Sequence, residues 1–136
     1  MDSLPPLPCL TILLVEDNPI NQKVASRLLE KAGHTVTLAE NGLVALDRVS
    51  DREFDLVLMD VMMPEMDGLS ATIAIREREQ GTDRHLPIIA LTANAMKGDR
   101  EKCLDAGMDG YVSKPIQLPV LIQEIARTLE RFPDRV

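Results

Sequence analysis

Asp55-Leu56-Val57-Leu58-Met59-Asp60 is an apolar run closed by a carboxylate, and the chain then turns through Val61-Met62-Met63-Pro64-Glu65-Met66-Asp67-Gly68. A short run, apolar at every position and bounded by polar residues, is how a parallel strand covered on both faces reads. Upstream, Leu10-Thr11-Ile12-Leu13-Leu14-Val15 has the same character and ends on Glu16-Asp17. Downstream, Pro87-Ile88-Ile89-Ala90-Leu91-Thr92 ends on a hydroxyl, and Gly110-Tyr111-Val112, the weakest of the strand patterns, leads to Lys114-Pro115. Thr35-Val36-Thr37-Leu38-Ala39 alternates, as expected nearer a sheet edge.

Helical patterns fill the gaps. Asn18-Pro19 reads as an N-cap with proline at the first helical position, and Ala32-Gly33 as the matching stop. Val24, Leu28 and Ala32 recur every fourth residue and predict an inward apolar stripe. A second helix is predicted over 42–50, capped by Asn41, with Val44, Ala45, Leu46 and Val49 inward. A third follows Asp67-Gly68 and ends near Gln80-Gly81; a fourth ends at Ala106-Gly107. The last, over 118–132, buries Leu121, Ile122, Ile125 and Leu129.

Five β–α units joined by right-handed crossovers make an open α/β sheet with helices on both faces. Such sheets bind ligands outside the carboxyl ends of the strands, where the strand order reverses. With the order 2-1-3-4-5, that point lies between the strands ending at Glu16-Asp17 and at Asp60. Three carboxylates in one crevice are costly: two at about 5 Å repel by about 3 kcal/mol at an effective dielectric near 20. A divalent cation offsets this, and Mg²⁺ suits an all-oxygen set. Thr92 adds a hydroxyl to the same rim and Lys114 an ammonium. One carboxylate can then attack a phosphoryl group while hydroxyl and lysine hold its oxygens.

Composition agrees with a single soluble domain. The 136 residues suffice for one core, 45% are hydrophobic, and only Phe54, Tyr111 and Phe132 are aromatic, so the core is aliphatic. Fifteen basic against 22 acidic residues leave a net charge of −7, which disfavours nucleic acid and anionic membrane. Cys9 and Cys103 have no paired spacing and read as reduced thiols of a cytoplasmic protein. No run is long enough to span a membrane, and the start lacks the features of a signal peptide. The proline-rich beginning, 1–9, reads as a linker, 10–132 as the domain and 133–136 as a tail.

The segments Leu13-Leu14-Val15-Glu16-Asp17-Asn18, the stretch from Asp55 to Gly68 quoted above, Pro87-Ile88-Ile89-Ala90-Leu91-Thr92-Ala93 and Tyr111-Val112-Ser113-Lys114-Pro115 together resemble the receiver domain of two-component response regulators. Glu16-Asp17-Asn18-Pro19-Ile20-Asn21-Gln22 with Ala93-Asn94-Ala95-Met96 most resembles receivers of hybrid sensor histidine kinases. The resemblance covers nearly the whole chain and implies a flavodoxin-like (βα)5 fold. It further implies that Asp60 accepts a phosphoryl group from a phosphohistidine. Glu16, Asp17, Asp60 and the backbone carbonyl of Met62 would bind Mg²⁺, Glu16 through a water. Thr92 and Tyr111 would form the switch, and Lys114, aimed by a cis peptide before Pro115, would pair with the phosphoryl oxygen.

The resemblance makes a histidine kinase or histidine phosphotransfer domain the phosphodonor, with Pro19, Ile20 and Gln22 at the contact. Such a domain catalyses its own phosphorylation and dephosphorylation and belongs within a hybrid kinase or stands alone. Met62 and Asn94 stand at the two positions that tune phosphoryl lifetime in this family; neither brings a charge, so slow self-dephosphorylation is expected. Three other readings compete. A Mg²⁺-dependent phosphohydrolase would want an acid at Met62. A flavin carrier would want a hydroxyl- and glycine-rich loop in place of Glu16-Asp17-Asn18. A phosphorylation-independent interaction module would tolerate a degenerate site, yet every key position here is filled.

Overall fold

The computed structural model describes residues 9–61, 68–82, 85–92, 97–113 and 116–131, with side chains described at all of these except 97–100 and 131. Five strands, β1 (Thr11–Val15), β2 (Thr35–Ala39), β3 (Leu56–Asp60), β4 (Ile88–Thr92) and β5 (Gly110–Ser113), form one sheet in the order β2-β1-β3-β4-β5. Every pairing is parallel. Between them run α1 (Pro19–Lys31), α2 (Gly42–Asp51), α3 (Gly68–Glu79) and α4 (Lys97–Ala106), and α5 (Leu118–Arg131) closes the chain.

The two-residue period of the strands sorts their side chains into two cores. Leu13, Val15, Val57, Met59, Ile88 and Ala90 face Ala45 and Leu46 of α2, Ala71 and Ile75 of α3 and Cys103 of α4. Ile12, Leu14, Leu56, Leu58, Ile89 and Leu91 face Ala25 and Leu29 of α1 and Leu121, Ile125 and Leu129 of α5. All residues of β3 and β4 are buried, as their unbroken apolar runs require. Each buried leucine or isoleucine contributes roughly 1.5–3 kcal/mol.

Helix ends follow the sequence signals. Asn18 Oδ1 accepts from the amides of Ile20 and Asn21, and Asn41 Oδ1 from that of Val44. Both alanine–glycine stops fold identically. Gly33 N–H donates to Glu30 O and His34 N–H to Leu29 O; Gly107 N–H donates to Leu104 O and Met108 N–H to Cys103 O. Gly33 and Gly107 carry φ of 99° and 107°, the left-handed conformation this motif demands.

One helix face departs from the expected pattern. The buried residues of α1 are Ala25 and Leu29, not the stripe Val24, Leu28 and Ala32; Val24 is 48% exposed and Ala32 exposed. The inward face also carries half-buried Asn21, Gln22 and Ser26, so polar residues line part of it and hydrophobic spacing alone mis-set the phase. On the edge strand β2, Leu38 is exposed and Ala39 buried. Residues 1–8 of the expected linker 1–9, the expected tail 133–136 and Phe132 lie outside the described residues. Among the described residues no helix is long and apolar enough to cross a membrane.

At the amino ends of the strands a charged cluster ties three segments together. Asp109 accepts from Arg76 Nη2 (2.8 Å) and from the Ile88 amide (2.9 Å), and lies 2.8 Å from His85 Nε2. Arg76 also donates to Gly107 O, Leu86 O and Glu79 Oε1. At the β2 side of the sheet, buried His34 accepts the Leu10 amide on Nδ1 (3.1 Å), which requires a neutral ring at that nitrogen. Burial lowers the His34 pKa below its ordinary 6.5. The folded state therefore binds this proton less readily than the unfolded chain. Its stabilising contribution is complete above pH 6.5 and is lost as the pH falls toward the folded value. Urea midpoints measured at pH 7.5 and 5.5 should fall on acidification, and by less in His34→Gln.

Candidate functional site

The register of the central strands builds the site. Val15 pairs with Met59, so Glu16 stands beside Asp60 one step further along the two strands. Carboxylate oxygens of Glu16, Asp17 and Asp60 lie within 4.8 Å of one another. Glu16 is 1% exposed and Asp60 5%, whereas Asp17 is exposed. Backbone and side chain both fix Glu16: its amide donates to Ala39 O (2.9 Å), its Oε2 accepts the Asn18 amide (3.2 Å), and its carbonyl accepts Gln22 Nε2 (2.6 Å).

Asp60 is held by its neighbours in the chain. Val61 N–H donates to Leu91 O and Gly68 N–H to Val61 O, which holds the start of α3 against the end of β3. A Cβ at Gly68 would fall on the Asp60 carbonyl oxygen and lie 2.9 Å from Met59 Cγ. Only glycine permits α3 to start this close to the carboxylate-bearing residue.

Thr92 ends β4, 6% exposed. Tyr111 is opposite Ala90 in the β4–β5 register and packs against the same core as Ala90. By the period of two, Thr92 and Tyr111 thus belong to one face of the sheet, with the smallest side chain of β4 in that column between them. Met62, Lys114, Pro115 and Asn94 lie outside the described residues.

The donor set fits a hard divalent cation: three carboxylates, two of them buried, offer oxygens within 4.8 Å of one another. Mg²⁺ prefers oxygen ligands and keeps several waters, so an all-carboxylate set of this kind suits it.

A family model of the response regulator receiver domain matches residues 12–126. The chain belongs to this family. It is 48% identical over 122 residues to hybrid signal transduction histidine kinase I of Dictyostelium discoideum, an alignment that covers 86% of this chain and 7% of that protein. It is 41% identical to the polar-differentiation response regulator DivK of Brucella anthropi, over 85% of this chain and 92% of DivK. The receiver thus spans a small part of the hybrid kinases it matches and nearly all of a free-standing regulator.

Among solved structures, the receiver domain of sensor histidine kinase PA1611 of Pseudomonas aeruginosa is 46% identical with a TM-score of 0.75, over 92% of this chain and 98% of that one, and holds a magnesium ion in its active-site cleft. The receiver of Saccharomyces cerevisiae Ssk1, solved with the histidine phosphotransfer protein Ypd1, is 31% identical with a TM-score of 0.83, over 93% of this chain and 94% of that one. Receiver domains pair with histidine phosphotransfer proteins or kinases, and this chain is a receiver of two-component phosphorelay signalling.

Three features escaped the sequence reading: the contact of Gly68 with the Asp60 carbonyl, the bond from Gln22 to Glu16, and the exposure of Val24. The first two join residues by tertiary approach, and no spacing rule announces either.

Proposed function

We propose that Asp60 is the phosphoacceptor of this receiver, and the observation that carries the proposal is the gathering of the Glu16, Asp17 and Asp60 carboxylates at the strand-order reversal. An Asp60 oxygen attacks the phosphorus of a donor phosphohistidine; the P–N bond breaks, the imidazole leaves with the electron pair and takes up a proton, and an acyl phosphate remains. Glu16, Asp17 and Asp60, with the Met62 carbonyl, would hold Mg²⁺. When bound, that ion supplies positive charge against the developing charge on the phosphoryl oxygens. Thr92 donates its hydroxyl to the phosphoryl group, Lys114 pairs with a phosphoryl oxygen, and Tyr111 turns inward along the column shared with Ala90. The compartment that suits this chemistry is the cytoplasm.

The test is a mass measurement. Incubation with acetyl phosphate and Mg²⁺ should add about 80 Da, the net gain of HPO3 when a phosphoryl group is transferred to a carboxyl group. The adduct should be absent from Asp60→Asn and when Mg²⁺ is chelated. An adduct of equal yield in both controls would refute the assignment. A phosphorylation-independent module would give no adduct in any arm.

For the partner, the supporting observation is exposure at the start of α1. Ile20 is 72% exposed, so it does not serve as a hydrophobic staple, and Val24 follows one turn later on the same side. We place the donor contact on Pro19, Ile20 and Gln22, extended by Val24. Gln22, held by the Glu16 carbonyl, links that face to the acidic crevice. Ile20→Glu should slow transfer from a phosphorylated histidine phosphotransfer protein at least tenfold while leaving acetyl phosphate uptake unchanged, a loss of about 1.4 kcal/mol in the docked state. Equal slowing of both reactions would show damage to the site itself.

A further inference from the structure

The edge strand β5 and the last helix meet through one carboxylate. Glu124 of α5 accepts the Tyr111 backbone amide on Oε2 (3.2 Å), and Arg127, 62% exposed, approaches the same carboxylate from the solvent side (3.2 Å). Gly110 makes this possible: a Cβ there would fall on Glu124 Oε2 and lie 3.2 Å from Thr128 Oγ1. Thr128 is 1% exposed, and its hydroxyl has no hydrogen-bond partner among the described residues. Apart from Arg127, the half-buried carboxylate therefore sits beside two donors, an edge-strand amide that it engages and a buried hydroxyl one helical turn along its own helix. A buried hydroxyl without a partner is costly, so the second donor is a real alternative for the carboxylate.

We propose that Glu124 is the positioning residue that carries a change at Tyr111 to α5. With the carboxylate on the Tyr111 amide, α5 is fastened to β5 at the residue whose side chain turns. When the Tyr111 backbone shifts with its ring, Glu124 exchanges the amide for the Thr128 hydroxyl, and α5 is released from the strand. The inference rests on the phosphoacceptor reading of Asp60 and the switch role of Tyr111, and it assigns the step after them.

The chain supplies its own reporter, because Tyr111 is its single tyrosine and it has no tryptophan. The protein is treated with acetyl phosphate and Mg²⁺, and three quantities are read: the 80-Da adduct, tyrosine fluorescence, and amide hydrogen exchange of Tyr111 and residues 118–131. In the unsubstituted protein all three should change on phosphorylation, with exchange across α5 rising several-fold. Glu124→Ala should keep the adduct and the fluorescence change but lose the phosphorylation-dependent change in α5 exchange. Glu124→Gln, which keeps an acceptor oxygen, should restore it, and Thr128→Val, which removes the second donor, should behave as Glu124→Ala. An α5 response in Glu124→Ala equal to that of the unsubstituted protein overturns the proposal, as does failure of Glu124→Gln to restore it. Absence of an adduct from the unsubstituted protein removes the phosphoacceptor reading itself and the proposal with it.

Discussion

In magnesium-free buffer Asp60→Asn should melt at a higher temperature than the unsubstituted receiver, and added Mg²⁺ should reverse the order. The buried pair Glu16 and Asp60, with exposed Asp17 beside it, stores repulsion of about 3 kcal/mol per close pair at an effective dielectric near 20. Solvent around Asp17 screens part of that, so a net gain of about 1–2 kcal/mol is the expected size for the neutral amide. For a domain this long the gain corresponds to roughly 3–8 °C in Tm. Mg²⁺ at a hundred times its dissociation constant stabilises the native state by about 2.7 kcal/mol, and Asp60→Asn forfeits most of this with its ligand. Calorimetry with and without Mg²⁺ on both proteins checks it. If Asp60→Asn is destabilised without the ion, the three carboxylates do not repel as their spacing demands.

The second large effect belongs to Gly68→Ala. The added methyl group would meet the Asp60 carbonyl oxygen and Met59 Cγ, one of them main chain that cannot swing aside. Either α3 moves away from β3 or the end of β3 moves, and both disturb the buried residues Ala71, Thr72 and Ile75 that follow on α3. Overpacking against a backbone typically costs 1–3 kcal/mol, and here about 2–3 kcal/mol is expected. Phosphoryl uptake should fall more steeply than stability, because the displaced residue is the proposed nucleophile. Denaturant unfolding and the acetyl phosphate adduct, measured together, separate the two effects. Unchanged uptake would show that the loop absorbs the methyl group without moving Asp60.

The architecture was legible because its strands are unambiguous. β1, β3 and β4 are apolar at nearly every position and end on Glu16-Asp17, Asp60 and Thr92, so the chemistry-bearing residues mark the strand ends they occupy. The two alanine–glycine stops announced helix ends because left-handed backbone favours glycine so strongly. The phase of α1 was not legible. Its inward face mixes Ala25 and Leu29 with Asn21, Gln22 and Ser26, while its exposed face carries Ile20 and Val24. A helix that offers apolar groups outward defeats any argument that equates apolar with inward. Glu124 was equally hidden: in sequence it is one acid among charged neighbours on a surface helix, and only the bare Cα of Gly110, fourteen positions upstream, gives it a seat. Of the proposed site, Glu16, Asp17 and Asp60 are brought together, and Thr92 and Tyr111 share one face of the sheet.

The Arg76–Asp109 cluster has a mechanical consequence. It pins α3, the start of β4 and the approach to β5 at the end of the sheet remote from the acidic crevice. With that end clamped, motion begun near Asp60 cannot dissipate as a rigid slide of the whole layer.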